Sequence, residues 1–157
     1  MGICKTNLLL PIEVINKPSL ALLLLVLVHV SRVMAQSSLE DLSSLKWSNR
    51  IILVSSNEYP EQFISQLESR NSDIVDRDIV WFLFHKDFIE TNYSGEIAQS
   101  FSTSIKSLYF GNTATRVVLL GKDGGMKDVA DKLDIPELFA LIDGMPMRRA
   151  EINQNGR

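Results

Sequence analysis

Cys4 is the only cysteine among the 157 residues, and it lies in a segment that reads as a leader. Without it the chain has no thiolate nucleophile, no disulfide and no cysteine metal site, so it must hold together by packing alone. Histidine is nearly as scarce: only His29 and His85 occur, and His85 has no second ligand at metal spacing. No catalytic residue, metal or cofactor is therefore expected. Basic residues do not dominate, since 16 Lys and Arg face 19 Asp and Glu for a net charge of −3. A mildly acidic chain with no basic run offers no electrostatic case for nucleic acid. There is no Gly-x-Ser-x-Gly elbow, and one histidine beyond the leader leaves few choices of base for a serine nucleophile.

The first 35 residues carry Lys5 and Lys17, an apolar run at 20–28, and Val33-Met34-Ala35. A basic leader, a short apolar stretch and small or aliphatic residues at −3 and −1 describe a signal peptide, with cleavage expected after Ala35. The run falls short of the roughly 20 apolar residues a membrane span needs, so no stable span is expected after cleavage. Met1-Gly2-Ile3-Cys4-Lys5-Thr6 fits an N-myristoylation pattern, but an export segment downstream would carry this end into a translocon instead. Removing the leader's three basic residues and one acidic residue takes the formal charge from −3 to −5. The remaining chain is the size of one domain. Its location is expected to be secreted or extracytoplasmic (periplasm or extracellular).

Residues 36–46 are polar with scattered leucines and are expected to be a linker, with Trp47 packing over the edge of the core. Ile51-Ile-Leu-Val54 and Ile79-Val-Trp-Phe-Leu-Phe84 are apolar without alternation, as strands buried on both faces are. Between them Pro60, Phe63, Ile64 and Leu67 mark a helix that Asn71-Ser-Asp73 should end. Residues 86–94 read as polar loop and contain the sequon Asn92-Tyr93-Ser94, a possible glycosylation site if the host is a eukaryote. Ser94 is placed to cap a helix with Ile97, Phe101, Ile105 and Leu108 on one stripe. Thr115 to Ala130 reads as a hairpin whose Asp-Gly and Gly-Gly pairs suit a two-residue turn. Asp134 and Glu137 form a capping box for a last helix that Gly144 stops. A compact tail follows, with a flexible end at 152–157. The order β-α-β-α-β-β-α is an α/β, thioredoxin-like layout with a central sheet flanked by helices.

The stretch Arg116-Val-Val-Leu-Leu-Gly-Lys-Asp-Gly-Gly-Met-Lys127, together with Leu138-Phe139 and Ile142-Asp-Gly-Met-Pro-Met-Arg-Arg149, resembles the P-DUDES domain. This is a peroxiredoxin-like domain of unknown function found in exported bacterial proteins and in sushi-repeat and equarin-type extracellular matrix proteins. Trp47-x-x-Arg50 and Asp76-Arg77-Asp78 are similar too, so the likeness spans residues 47–151. It implies a thioredoxin-like fold related to peroxiredoxins, with no firmly established activity. In peroxiredoxins a cysteine near the first long helix attacks peroxide and an arginine on a later strand lowers its pKa. By that resemblance Arg116 stands at the arginine, and Ser55, Ser56 and Asn57 stand near the missing cysteine. Peroxide reduction and disulfide exchange then lack a nucleophile.

Gly-Lys-Asp-Gly-Gly at 121–125 is not a phosphate loop, because Arg116 and Asp123 stand where a glycine and a Ser or Thr are needed. Asp73, Asp76 and Asp78 lack the glycine and distal glutamate of a calcium loop and are expected to form a solvated turn. The cluster that suggests binding is basic: Arg116, Lys122, Lys127, Arg148 and Arg149, from segments this fold can bring together. Against it stands internal pairing of Arg116 and Arg148 with Asp123, Asp143 or Glu151. The expected function is an exported non-enzymatic binding module lacking redox cysteines, its partner an extracellular or envelope protein or an anionic glycan. The alternatives are a cysteine-independent enzyme with an Arg116-centred pocket, or an antioxidant protein.

Overall fold

Three apolar strands make the middle of the fold, and their lack of alternation follows from burial on both faces. β1 (Arg50–Ser56) lies between β2 (Ile79–His85), to which it is parallel, and β4 (Thr115–Leu120), to which it is antiparallel. In this computed structural model, which describes residues 38–56, 60–86, 88–111 and 115–155, the expected leader at 1–35 lies outside the described residues. β3 (Phe88–Thr91) and β5 (Met126–Ala130) are the edges of a five-stranded mixed sheet ordered β3-β2-β1-β4-β5.

Odd and even positions of the central strands serve two separate cores. Ile51, Leu53, Val80, Phe82, Phe84, Val118 and Leu120 point to one face and pack with Phe101, Ile105 and Phe110 on and beside α3 (Phe101–Tyr109). Ile52, Val54, Ile79, Trp81, Leu83, Val117 and Leu119 point to the other. There they meet Leu67 of α1 (Pro60–Glu68), Ile74 of α2 (Asn71–Asp76), and Ile135, Leu138 and Ile142 of α4 (Ile135–Asp143). Each such aliphatic or aromatic side chain contributes about 1.5–3 kcal/mol on burial. On the first face Phe82, Phe84, Phe101, Phe110 and Tyr93 form a continuous ring cluster, Phe82 to Phe101 being 5.1 Å between centroids.

The expected mixed α/β sheet between helices is present, with elements beyond the expected seven. Residues at 71–73 do not end structure but begin α2, and the side chain of Arg77, just past its end, folds back onto the Asp73 carbonyl at 3.1 Å. The loop at 86–94 contains β3, an edge strand that pairs with the second half of β2. Ser94 caps nothing: the helix begins at Phe101, and Ile97 is held extended by a bridge to Leu39. Leu39, Leu42 and Leu45, expected in a linker, are buried in the first core. Leu108 is exposed rather than part of the helix's buried stripe. Trp47 does not cover the core; it is 69% exposed with φ +66°. It sits in a left-handed turn whose N–H donates to the Lys122 carbonyl at 2.6 Å. The tail at 145–155 is mostly helix, α5 (Pro146–Asn155).

The hairpin closes over three residues rather than two. Gly121 N–H donates to the Gly125 carbonyl at 2.9 Å and Gly124 N–H to the Gly121 carbonyl at 2.8 Å, with Gly124 at φ +77°. A turn followed by a left-handed glycine is the usual three-residue solution. Asp123 Oδ1 accepts from Gly125 N–H at 3.0 Å and fixes the tip. The capping box is as expected: Asp134 Oδ1 accepts from Glu137 N–H at 3.1 Å.

Candidate functional site

Charged residues standing directly before the two buried strands build a network at one end of the sheet. Arg50 opens β1, Arg77 and Asp78 precede β2, Lys122 sits on the hairpin tip, Asp143 ends α4, and Arg148 and Glu151 come from α5. Register places Arg50 beside Ile79, so these segments must converge. Arg50 is 1% exposed; its Nη1 donates to the Arg77 carbonyl at 2.9 Å and its Nη2 to Glu151 Oε1 at 3.2 Å. Arg77 grips Asp143 with a fork, Nε to Oδ1 at 3.1 Å and Nη2 to Oδ2 at 2.7 Å. Its guanidinium also lies 4.5 Å from the centroid of the Phe139 ring, a cation–π contact.

Arg148 binds the other side of the same acid, Nε to Asp143 Oδ1 at 3.3 Å, and also reaches Asp76 through its carbonyl at 2.7 Å and its carboxylate. Burial works to raise the Asp143 carboxyl, but Arg77 and Arg148 outweigh it and hold its pKa below the usual carboxylate value. Lys122 Nζ bridges Asp78 and Glu151, both at 2.8 Å. Burial works against the Lys122 charge, yet those two carboxylates keep its pKa above the ordinary lysine value.

The five basic residues expected to cluster have different fates. Arg148 is buried in ion pairs and belongs to the scaffold, as the internal-pairing alternative held. Arg149, next to it, is exposed. Lys127 pairs with Asp123 at 2.7 Å, and both Lys127 and the hairpin hydrogen bond hold the Asp123 pKa down. Arg116 is not with the others. It lies opposite Ser55, toward the far end of β1 from Arg50, and donates from Nη1 to the Phe110 carbonyl at 3.3 Å. Asp73, Asp76 and Asp78, expected as a solvated turn, each accept an arginine or lysine.

His85 is the last residue of β2 and is buried, its Nδ1 3.0 Å from the Ser56 carbonyl and its ring 5.0 Å from Phe88. The Asn92 amide is engaged with the β2 backbone: Oδ1 accepts from Trp81 N–H at 2.8 Å and Nδ2 donates to the Ile79 carbonyl at 3.0 Å. Arg50, Arg77 and Glu151 were not singled out as site residues from sequence. For Arg50 and Arg77 the usable signal was position, since a charge at the start of a doubly buried strand needs an internal partner; Glu151 lies on α5 and has no such signal.

Beside this network is a cavity of about 280 Å³, walled by Arg50, Lys122, Lys127, Met145, Pro146 and Met147. Polar groups lie on the hairpin side and apolar ones at the start of α5. Asp123 also lines it, neutralised by Lys127. A second cavity of about 250 Å³ lies between residues 41–49 and α3, and a third of about 390 Å³ adjoins Trp81 and Asn92. Among the described residues no group of acids or histidines is arranged to hold a metal ion, and no helix is long and apolar enough to cross a membrane.

No curated protein and no solved structure matches the chain. A family model described as a domain of unknown function, DUF4174, matches residues 41–151. That span takes in the whole sheet, the ion-pair network and the cavity beside it, and the chain belongs to the DUF4174 family.

Proposed function

We propose that this chain is an exported, non-enzymatic, thioredoxin-like binding module that engages an extracellular or envelope protein through the cavity beside Arg50. The sheet order supports the fold: removing edge strand β3 leaves β2-β1-β4-β5 with one parallel and two antiparallel pairings. The Ser55–Arg116 pairing in register fits a peroxiredoxin ancestry in which the nucleophile is gone. The observation that carries the binding role is the cavity itself, apolar on one wall and rich in hydrogen-bond donors on the other, the usual character of a recognition pocket. A protein partner is favoured over an anionic glycan by charge balance. Arg50, Lys122 and Lys127 are matched by Glu151, Asp78 and Asp123, so no block of free positive charge is left for a polyanion. The arginine-centred enzyme draws no support from Arg116, which lines none of the three cavities described above.

The test is capture from an extracellular or envelope fraction by the purified protein, with parallel peroxide-consumption and disulfide-reduction assays. The expected result is a retained protein that survives glycosidase treatment, loss of retention in Met147→Glu, and no turnover in either assay. Turnover, or retention abolished by glycosidase, overturns this reading. Mass measurement of the secreted protein checks export, with Gln36 expected as its first residue.

A further inference from the structure

Negative charge that nothing in the chain answers lies where α1 ends, α2 begins and β3 runs out. There a cavity of about 390 Å³ is walled by Ile64, Glu68, Asn71, Trp81, Glu90 and Asn92. Its two acids, Glu68 and Glu90, form no ion pair and no hydrogen bond among the described residues. No basic residue stands in the wall. The last turn of α1 also lacks one, so the negative end of that helix adds to the two carboxylates. Arg70, the nearest cation in sequence, turns to Asp73 at 3.6 Å.

Trp81 adds an unused donor to the same place. It is 6% exposed, and of the three cavities it lines this one alone. Its backbone is engaged, the N–H by Asn92 Oδ1 at 2.8 Å and the carbonyl by Thr91 Oγ1 at 2.5 Å. Its indole N–H has no acceptor among the described residues, yet the unpartnered side-chain polar atoms sealed from water there are Arg50 Nε and Glu151 Oε2. The indole N–H therefore keeps access to solvent, and the opening that Trp81 lines is this cavity. A tryptophan N–H set in a core normally has a partner; here the acceptor is left to be supplied from outside the chain.

These features select a ligand by charge and shape. Two uncompensated carboxylates call for a cation, while the donor beside them calls for a neutral oxygen, because the glutamates repel an anionic one. Ile64 offers apolar surface to a methylene stem. The volume is roughly thirteen waters' share of liquid, room for one long side chain and its peptide group. A metal ion fits less well, since two acids are few for a hard cation and an N–H donor faces it the wrong way round. We propose that this cavity docks a lysine or arginine side chain of a partner chain. The cationic head is held by Glu68 and Glu90, and a neighbouring backbone carbonyl accepts from Trp81 Nε1–H. This surface is separate from the cavity beside Arg50 and goes beyond the binding role given to that one.

Trp47 and Trp81 are the only tryptophans, so the isotope-labelled full protein gives one indole N–H signal for each in heteronuclear NMR, told apart by Trp47→Phe. Production in a bacterial host keeps Asn92 free of sugar. Titration with acetyl-Gly-Lys-Gly-amide is expected to shift the Trp81 indole saturably and leave that of Trp47 unmoved, and the arginine peptide should do the same. The norleucine peptide keeps the stem and loses the charge; it should bind about tenfold more weakly, as the loss of two partly exposed ion pairs implies. Glu68→Gln and Glu90→Gln, both at exposed positions, should each weaken the lysine peptide about threefold with the melting temperature unchanged. No Trp81 shift with either cationic peptide, equal binding of the norleucine peptide, or unchanged binding in the double variant of Glu68→Gln with Glu90→Gln overturns the assignment. Displacement of the lysine peptide by calcium at equal concentration overturns it too, in favour of a divalent-cation site.

Discussion

Replacing Arg148 by methionine removes the cation that ties α5 to α2 and α4. Methionine fills much of the stem volume, so the loss is electrostatic more than steric. Arg148 is 5% exposed on its side chain and is bonded to the Asp76 carbonyl, the Asp76 carboxylate and Asp143. Removing one member of a fully buried pair costs about 3–5 kcal/mol. Two features reduce that figure. Asp76 and Asp143 are 58% and 37% exposed, so both regain water, and Arg77 still holds Asp143 in its fork. The expected loss is then about 2–3 kcal/mol, in line with a charge-assisted hydrogen-bond set.

Urea unfolding followed by circular dichroism gives this number directly, and the melting temperature should fall by about 10 °C for a domain of this size. A double-mutant cycle of Arg148→Met with Asp143→Asn should return a coupling of about 1 kcal/mol or more, as direct partners do. Arg149→Met, one residue away on an exposed position, should stay within about 0.5 kcal/mol of wild type. A loss under about 0.5 kcal/mol in Arg148→Met, or additivity in the cycle, would refute the structural role assigned to this arginine.

Asn92→Ala is expected to cost about 1–3 kcal/mol, because Trp81 N–H and the Ile79 carbonyl lose their partners; amide exchange at Trp81 should accelerate more than at Phe82. Gly124→Ala should destabilise by about 1–2 kcal/mol, since Gly124 at φ +77° is left-handed and alanine is penalised there; the nearest atom to an added Cβ is the flexible Lys46 Cε, so thermal melting should report backbone strain rather than a clash. Asp143 has a folded pKa below its unfolded value, so its stabilisation is present above the unfolded carboxylate pKa and disappears as pH falls through the folded one; urea midpoints should drop below about pH 4, and Asp143→Asn should flatten part of that slope.

Legibility differed by element for physical reasons. β1, β2 and β4 could be read as strands because two cores claim alternate side chains, leaving no polar positions to confuse the pattern. β3, with sequence Phe-Ile-Glu-Thr, is four residues at a half-exposed edge and has no period long enough to detect. Leu39, Leu42 and Leu45 were set in a polar segment, and their burial comes from tertiary contact with the α3 face, which no local pattern announces. Arg148 and Arg149 are adjacent and chemically identical, and only the helix phase of α5 sends one inward. The hairpin was evident from its glycines, but its three-residue closure depends on Asp123 bonding to Gly125 N–H. Arg50 was visible as a charge abutting an apolar strand. Its unpartnered Nε was not, because that depends on where Glu151 arrives from about a hundred residues away.

Asn92 completes the β2 edge where β3 has already ended, its amide standing in for the missing strand. Pairing both its oxygen and its nitrogen to one strand uses the Nδ2 hydrogen on the same side as Oδ1, and in a trans N-glycosyl amide that is the hydrogen a sugar replaces. The sequon and the sheet therefore compete for a single nitrogen. In a host with the glycosylation machinery, the order of events on the emerging chain decides the outcome. If β2 closes first, the acceptor is sequestered; if the sugar arrives first, Ile79 and Trp81 are left with an open edge. Occupancy at Asn92 would then record how fast this part of the sheet folds.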